Sequence, residues 1–549
     1  MAPPRDPYGR LVANAGLFRA LAQDGGYQSL HVLSHPGSAD TQSLRAELGL
    51  VDAEPPEVTV GPLFGTAAAT AAGALLYGQP YLTEPAWARR HGGGDDAYSI
   101  VGSIFAFASA PHREQMLMSL LAPVWPWDAL VCSSTSLRTT VQAAIDEWED
   151  VLRGRLGAAD AQRYRLPRPQ LPVIPFGTAV GAVASAASDA EARHTMRADL
   201  GIPDQAVMIY HLARLSPYDK AFPQPMLRAV QRAKQQCGAR LHMVLAGWFP
   251  DGEQGRRRYD EAIATYCPDV PVTILDGNDP DFIRRCWAAA DVFLLLSDTI
   301  LETFGQALIE AMAAGLPLVV SDWDGYRDIV RDGLDGYLIP TLGAPPGPLG
   351  RSLALMELLG DVNYAQYGGA TAAHTAVDVD AAAQALARLA DDPEHRRRLG
   401  GAGAERARQE FDWRVVAGQY QLLFADLAER RQALAPTIAE LASRRLSPLR
   451  DDPFRTFAAL PSSVLGDDTL LRPGRVDADA WSPRVELDEV HPGLRGDADE
   501  ARAVLAYIAE RGQCRLADVT ALFPPRRRPF VRMTIMWLAK SGALSWTAE

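Results

Sequence analysis

The sequence predicts an α/β protein in which two doubly wound domains face a cleft, followed by a small C-terminal helical module. The chain has 549 residues, which is room for about three to four domains. Strand-length apolar runs alternate with helical patterns in two successive blocks, as is typical of parallel sheets covered on both faces. Ligands of such sheets bind at the C-terminal ends of the strands.

The first block, 1–195, is predicted to form the N-terminal domain. Its predicted strands are 30–35, 98–107, 129–134 and 171–177. The second block, 196–430, alternates more cleanly and is predicted to bind the ligand. Its strands and helices follow in the order VMIYHLARL, PQPMLRAVQRAKQQ, LHMVLAG, YDEAIATYC, VPVTILDG, DPDFIRRCWAAA, DVFLLLS, an apolar helix, PLVVSD and YRDIVRDG.

Four segments depart from this alternation. The Pro/Gly-rich and poorly periodic segment 342–376 is predicted to be a loop or small lid inserted in the second domain, and a return helix is predicted at about 411–445. The segment 446–495, rich in Pro, Asp and Arg, is predicted to be a linker. The last segment, 496–549, shows three helices and a short strand, an outline that a winged helix shares with many other small modules.

The composition narrows the class of protein. A net charge of −13 argues against wholesale binding to nucleic acid or anionic membrane. Five cysteines without CxxC spacing favour a reducing compartment over a disulfide framework or zinc site. The N-terminal stretch lacks a secretory pattern, and no apolar run is long enough for a membrane span. We therefore expect a cytoplasmic protein.

Two carboxylates in the stretch SDTILETFGQALIEAMAAG (297–315) call for a partner. Glu302 lies in a loop after a strand, and Glu310 lies two turns into an apolar helix where a lone charge is costly. The helix begins at Phe304, Gly305 and Gln306, whose backbone N–H groups form an anion site. A phosphate at the helix start and hydroxyl groups near both glutamates together describe a nucleotide-sugar.

Basic residues follow the strand at 207–215 and are candidates to bind those phosphates. Arg214 and Lys220 flank a short loop; arginine can clamp a diphosphate with two hydrogen bonds, and lysine adds a compact charge. Gly247 ends the next strand, where the absent side chain lets another backbone segment approach the same phosphates.

This ordered set resembles the retaining glycosyltransferases of family 4, the glycosyl transferases group 1. The resemblance rests on R-x5-K after a strand and E-x7-E in SDTILETFGQALIEAMAAG, and on VIPFG (173–177), ADVFLLLSD, GLPLVVSD, IVRDGLDGYLIP and QEFDW (409–413) in the family's order. It covers about 10–430 and is most specific over 205–340. It implies the GT-B fold, with two Rossmann-like domains, of which 1–195 would be the acceptor-side domain and 196–430 the nucleotide-sugar-binding domain.

The resemblance also implies a role for each residue. Glu302 would bond hydroxyls of the donor sugar, and Glu310 those of the ribose. Arg214 and Lys220 would neutralise the diphosphate leaving group, assisted by the N–H groups of the helix start; stabilisation of growing charge is the dominant catalytic contribution expected. The implied activity is sugar transfer with retention from a nucleotide-diphospho-sugar to an unknown acceptor (glycan, lipid, small molecule or protein), with no cofactor and no metal.

The first domain departs from the family's pattern. Phe105 occupies the place of a histidine that approaches the donor sugar, and His112, seven residues later, is a candidate substitute. The usual first strand and glycine-rich acceptor loop are also hard to find. These departures support an alternative function, a catalytically weak glycosyltransferase-like binding or scaffold protein. Glycoside hydrolysis by paired carboxylates explains neither the anion site nor Arg214 and Lys220.

The C-terminal module is predicted to be a surface for a protein partner or for self-association. The run PPRRRP (524–529) also suggests nucleic-acid binding. However, 497–549 holds eight Lys/Arg against six Asp/Glu, only a slight excess, so nucleic acid is the less favoured partner.

Overall fold

The computed structural model describes residues 9–35, 40–50, 56–63, 65–156, 166–438, 447, 449–475, 486–489 and 492–547. The chain forms two compact units, 1–444 and 445–549. Within the described ranges, no helix combines the length and apolar character that crossing a membrane requires.

The first part of the larger unit contains two small parallel sheets, β1-β2 and β3-β4-β5. Every residue of β4 is buried, which explains the continuous apolar run there. Two strands that we did not predict, β2 and β3, are short and partly exposed. The elements are α1 (Gly9–Asp24), β1 (Ser29–Ser34), α2 (Thr41–Glu47), β2 (Glu57–Pro62), α3 (Thr66–Ala72), β3 (Ala74–Tyr77), α4 (Thr83–Gly92), β4 (Ser99–Ile104), α5 (Ala110–Met118), β5 (Ala129–Cys132) and α6 (Thr135–Leu156).

The predicted strand at 171–177 is an extended segment that forms isolated bridges beside β5, at Gln170 and Val173. It leads out of the first sheet and into the second half of the unit.

The second part is built on one parallel sheet of six strands in the order β11-β10-β9-β6-β7-β8. Alternate residues of β7 pack into different cores, with Met243 on one face and Val244 on the other. The elements are α7 (Val180–Ala187), α8 (Ala190–Asp199), β6 (Val207–Leu212), α9 (Pro223–Gln236), β7 (Leu241–Gly247), α10 (Gly252–Tyr266), β8 (Val272–Asp276), α11 (Pro280–Ala289), β9 (Val292–Leu295), α12 (Gln306–Ala313), β10 (Leu318–Ser321), α13 (Tyr326–Ile329) and β11 (Gly336–Ile339).

The segment 342–376, which was predicted to be a loop or small lid, contains two helices. Its two helices lie between a pair of antiparallel strands. The Pro/Gly-rich start and the glycines of α15 hide the helical period from the sequence. The elements are β12 (Thr341–Gly343), α14 (Pro348–Leu359), α15 (Tyr364–Ala372) and β13 (Thr375–Val377).

The unit closes with a helix that returns to the first sheet. After α16 (Val379–Asp391), α17 (Pro393–Arg406) and a π-helical turn at Ala407–Phe411 comes α18 (Trp413–Ile438). Val416 and Tyr420 of α18 share a core with Leu17 of α1 and Val101 of β4. The remainder of the predicted return helix, 439–445, lies outside the described residues.

The described residues of the smaller unit form four α-helices and a three-stranded antiparallel sheet in the order β15-β14-β16. Strand β14 comes from the segment predicted to be a linker, of which 476–485 lie outside the described residues. The winged-helix outline stays a prediction. The elements are α19 (Pro453–Thr456), β14 (Leu470–Pro473), α20 (Ala498–Arg511), β15 (Cys514–Arg515), α21 (Leu516–Ala521), α22 (Arg528–Lys540) and β16 (Leu544–Thr547).

Candidate active site

The order of the large sheet explains where the candidate site forms. From β6 the chain proceeds to β7 and β8 on one side, then crosses to β9 and β10 on the other. Such a reversal opens a crevice at the carboxyl ends of the two strands where it occurs. The loop after β6 carries Arg214 and Lys220, and the loop after β9 carries Glu302, so residues 82 apart in sequence meet.

Glu302 and Lys220 form the centre of the site. The Lys220 ammonium donates to the Glu302 carboxylate, which also accepts from the Tyr326 hydroxyl at 3.2 Å and from the Phe304 N–H at 3.4 Å. Burial raises the pKa of Glu302, but the charge and hydrogen bond of Lys220 outweigh it and hold the pKa below its ordinary value. The carboxylate is therefore ionised at neutral pH.

Arg214 and Gly247 lie on the loops beside this centre. Arg214 donates from Nη1 to the Asp219 carboxylate at 2.5 Å, so each predicted cation of the site has a carboxylate partner. At Gly247 an added Cβ would lie 2.0 Å from the carbonyl oxygen of Ala213. Because residue 247 is a glycine, the backbone at Ala213, directly before Arg214, can lie close to it.

The start of α12 is held by a glycine in a left-handed conformation. Gly305 has a φ of 99°, and an added Cβ would lie 2.4 Å from the Tyr326 ring. Phe304 is buried, and its N–H is directed to Glu302. Gln306 begins the helix, where the first N–H groups have no partner within the helix.

Glu310 is half-buried on α12. Burial raises the pKa of its carboxyl to about 7. Among the described residues, the Glu310 carboxyl has no hydrogen-bond or ion-pair partner, in contrast to the Glu302 carboxylate. The carboxyl is thus available to a ligand hydroxyl.

Phe105 belongs to a string of aromatic rings that joins the two halves of the unit. It stacks on Phe176 at 5.3 Å, and Phe176 meets Phe304 edge-on at 5.2 Å. Phe304 in turn contacts Phe411. The Phe105 carbonyl accepts from the Thr303 hydroxyl at 3.1 Å. The structure therefore brings Phe105 to the loop of Glu302.

His112 lies apart from this arrangement. It is exposed on α5, and its ring stacks on Tyr81 at 5.9 Å. Among the described residues, no hydrogen bond, ion pair or ring contact joins His112 to Glu302 or Lys220.

The start of α6 contacts the loop after β10. The Ser134 hydroxyl donates to Asp324 at 2.8 Å, and the Thr135 N–H donates to Asp328 at 2.5 Å. Asp324 has a φ of 38°, a strained value for a residue with a side chain. Burial raises its pKa to about 7. These contacts hold the first half of the unit against the second.

Tyr326, Asp324 and Phe176 are parts of the site that were not predicted from the sequence. Phe176 lies in the VIPFG stretch (173–177). The sequence indicates that this stretch matters, but not that the Phe176 ring contacts Phe105 and Phe304. Tyr326 and Asp324 follow β10, and the carboxyl ends of adjacent parallel strands share one edge. That rule could have directed attention to this loop.

One segment of the chain is similar to a known protein family. Residues 192–342 match the family model described as "Glycosyl transferases group 1". The phosphatidyl-myo-inositol mannosyltransferase of Mycobacterium leprae is 35% identical over 127 residues, 23% of this chain and 24% of that protein. The D-inositol 3-phosphate glycosyltransferase of Corynebacterium efficiens is 26% identical over 231 residues, 42% of this chain and 45% of that protein. The chain thus covers less than half the length of either relative.

Solved structures share the fold. Anabaena HepE in complex with UDP has a TM-score of 0.50 at 15% identity and covers 77% of this chain and 98% of its own. A glycosyltransferase from Rickettsia africae has a TM-score of 0.50 at 10% identity, with 77% and 96% covered. This likeness confirms the predicted GT-B fold with Rossmann-like domains. Arg214, Lys220, Glu302 and Glu310 all lie within residues 192–342, the segment that matches the glycosyl transferases group 1 model.

Proposed function

We propose that the chain is a glycosyltransferase that moves a sugar, with retention, from a nucleotide-diphospho-sugar to an acceptor hydroxyl. The observation that carries the proposal is the Lys220–Glu302 pair at the crevice where the sheet order reverses. Two relatives are named as glycosyl- or mannosyltransferases, and HepE was solved with UDP. The family match lies on the donor side, so the proposal specifies the donor and leaves the acceptor class open.

In the proposed reaction the bond between the anomeric carbon and the diphosphate oxygen breaks as the acceptor oxygen bonds to that carbon. The acceptor proton passes to the departing diphosphate. Arg214 and Lys220 exchange their carboxylate partners for the phosphates and stabilise the negative charge that grows there. Glu302 then accepts from sugar hydroxyls, and Glu310 from the ribose.

Donor binding is tested first by thermal shift with UDP-, GDP- and ADP-sugars, because a ligand that binds the folded state raises its stability. Transfer or donor hydrolysis is then measured for Lys220→Ala and Glu302→Ala. We expect both variants to stay folded and lose activity, and full activity in both would refute the assignment. We further propose that no metal is needed, so activity should survive a chelator.

The stacking of Phe105 on Phe176 favours a second candidate, the catalytically weak binding or scaffold protein. The phenyl ring of Phe105 has no nitrogen, so it cannot transfer a proton or accept a hydrogen bond as a histidine ring does. This candidate predicts donor binding without turnover. Hydrolysis of a nucleotide-sugar at a measurable rate by the wild-type chain would rule it out.

A further inference from the structure

Helix α14 presents an apolar surface to solvent. It contains no buried residue, and Leu349, Leu358 and Leu359 are 87%, 74% and 67% exposed. Its half-buried positions are Leu353 and Glu357, so one of its two charged residues turns toward the protein. A surface helix normally turns its apolar side inward, which indicates that a partner covers α14.

The size of α14 argues against a protein as that partner. A helix of 12 residues is about 18 Å long and about 10 Å wide. A stable protein interface, including one with a second copy of this chain, buries about 800 Å² on each side. A lipid surface sets no such minimum, because every apolar side chain that inserts adds its own buried area.

The charges of α14 indicate how it would meet lipid. Arg351 and Glu357 are its charged residues, and Arg351 is the exposed one. A single cation gives only a weak attraction to anionic lipids, and the net charge of −13 opposes it. Apolar insertion remains as the source of affinity, and it is insensitive to salt.

The next helix ties α14 to the loops of the candidate site. In α15, a Cβ added at Gly368 would lie 2.7 Å from the Leu301 side chain, and one added at Gly369 would lie 2.6 Å from the Tyr218 ring. Leu301 precedes Glu302, and Tyr218 lies two residues before Lys220. Helix α14 is thus followed along the chain by a helix that packs on these loops.

We propose that α14 is a lipid-docking helix that inserts its leucines into the surface of a bilayer without crossing it. The inference rests on the exposed face of α14 and stands apart from the proposed function. A chain that binds no nucleotide-sugar would still bind vesicles, and a chain that binds the donor could fail to do so.

The test is flotation of the full chain with vesicles of phosphatidylcholine, with and without phosphatidylglycerol, at low and high salt. We expect binding to both vesicle types that does not fall with salt. The variant Leu349→Gln with Leu359→Gln should bind at least about tenfold less, because two inserted leucines are lost. The matched control is Leu334→Gln with Leu422→Gln, two exposed leucines of the same unit.

Three results would overturn the proposal. One is a wild-type chain that does not float with either vesicle; another is an equal loss in the control variant. The third is a wild-type dimer that the α14 variant converts to a monomer, which would make a second copy the partner. Circular dichroism and thermal unfolding verify that each variant is folded.

Discussion

At the scale of single residues, the charge of Lys220 holds the buried carboxylate of Glu302 in place. Replacing Lys220 by Met removes the cation and leaves Glu302 with two neutral donors. We expect the free energy of unfolding to fall by about 1–3 kcal/mol, the cost of a buried polar group that loses its partner. Chemical denaturation measures this change.

The control for that variant is Lys234→Met, because Lys234 bonds a backbone carbonyl at 3.4 Å and should matter by less than about 0.5 kcal/mol. Adding Glu302→Gln to Lys220→Met should recover much of the lost stability, but not the activity. If the two costs simply add, the pair is not coupled.

The pH dependence of stability should carry the signature of Glu310. The folded carboxyl has a pKa of about 7 against an ordinary 4.5, so between these values the folded state binds one more proton than the unfolded state. The free energy of unfolding should therefore fall as pH rises from about 5 to about 7. Asp298 and Asp324, whose pKa values burial also raises to about 7, act in the same direction.

Denaturation at several pH values tests this with the variant Glu310→Gln. The free energy of unfolding should depend less steeply on pH in this variant, and the dependence that remains should come from Asp298 and Asp324. The control substitution is Glu261→Gln at the exposed Glu261 of α10. We expect this variant to keep the wild-type dependence of stability on pH. An unchanged slope in Glu310→Gln would show that its carboxyl is ionised in the folded chain.

At the scale of elements, the two ends of α12 offer a matched comparison. Gly305 and Gly315 both have positive φ, 99° and 77°. A Cβ at Gly305 would strike Tyr326, whereas one at Gly315 meets nothing within 4 Å. Alanine at Gly315 should cost about 1 kcal/mol, and alanine at Gly305 should cost more, toward about 3 kcal/mol. Denaturation midpoints measure both, and equal costs would contradict the predicted clash.

The elements of the second domain could be predicted because their strands are buried on both faces, which leaves continuous apolar runs such as VMIYHL and LHMVLAG. The helices of the segment 342–376 could not be predicted in this way. In α14 the exposed side is apolar, and this removes the alternation of polar and apolar residues from which a helix is inferred.

The candidate site divides in the same way. The local cluster of Phe304, Gly305 and Gln306 could be found from one stretch of sequence. The bond between Lys220 and Glu302 and the stacking of Phe105 on Phe176 depend on strand order and on the contact between two halves, which spacing along the chain does not encode. The roles of these residues in a reaction stay predictions.

At the scale of the whole larger unit, the start of α6 couples the two halves. Asp328→Ala removes the acceptor of the Thr135 N–H. We expect peptides that cover 133–137 to exchange amide hydrogen faster, since opening there no longer breaks this bond. Hydrogen-exchange mass spectrometry measures the rate.

The control breaks an ion pair within one half. Asp380→Ala removes the exposed partner of Arg232 and should leave exchange at 133–137 unchanged. Equal protection in Asp328→Ala and wild type would mean that other contacts hold the two halves.

The closed Lys220–Glu302 pair would also affect what happens after transfer. In the proposed reaction, the phosphates of a bound donor would engage Lys220 and the sugar hydroxyls would satisfy Glu302. Once the sugar had left, the nucleoside diphosphate would still hold the lysine, but the buried carboxylate would have lost the sugar hydroxyls as donors. Such a carboxylate is costly until its cation returns, so the re-forming pair would compete with the spent nucleotide and favour its release.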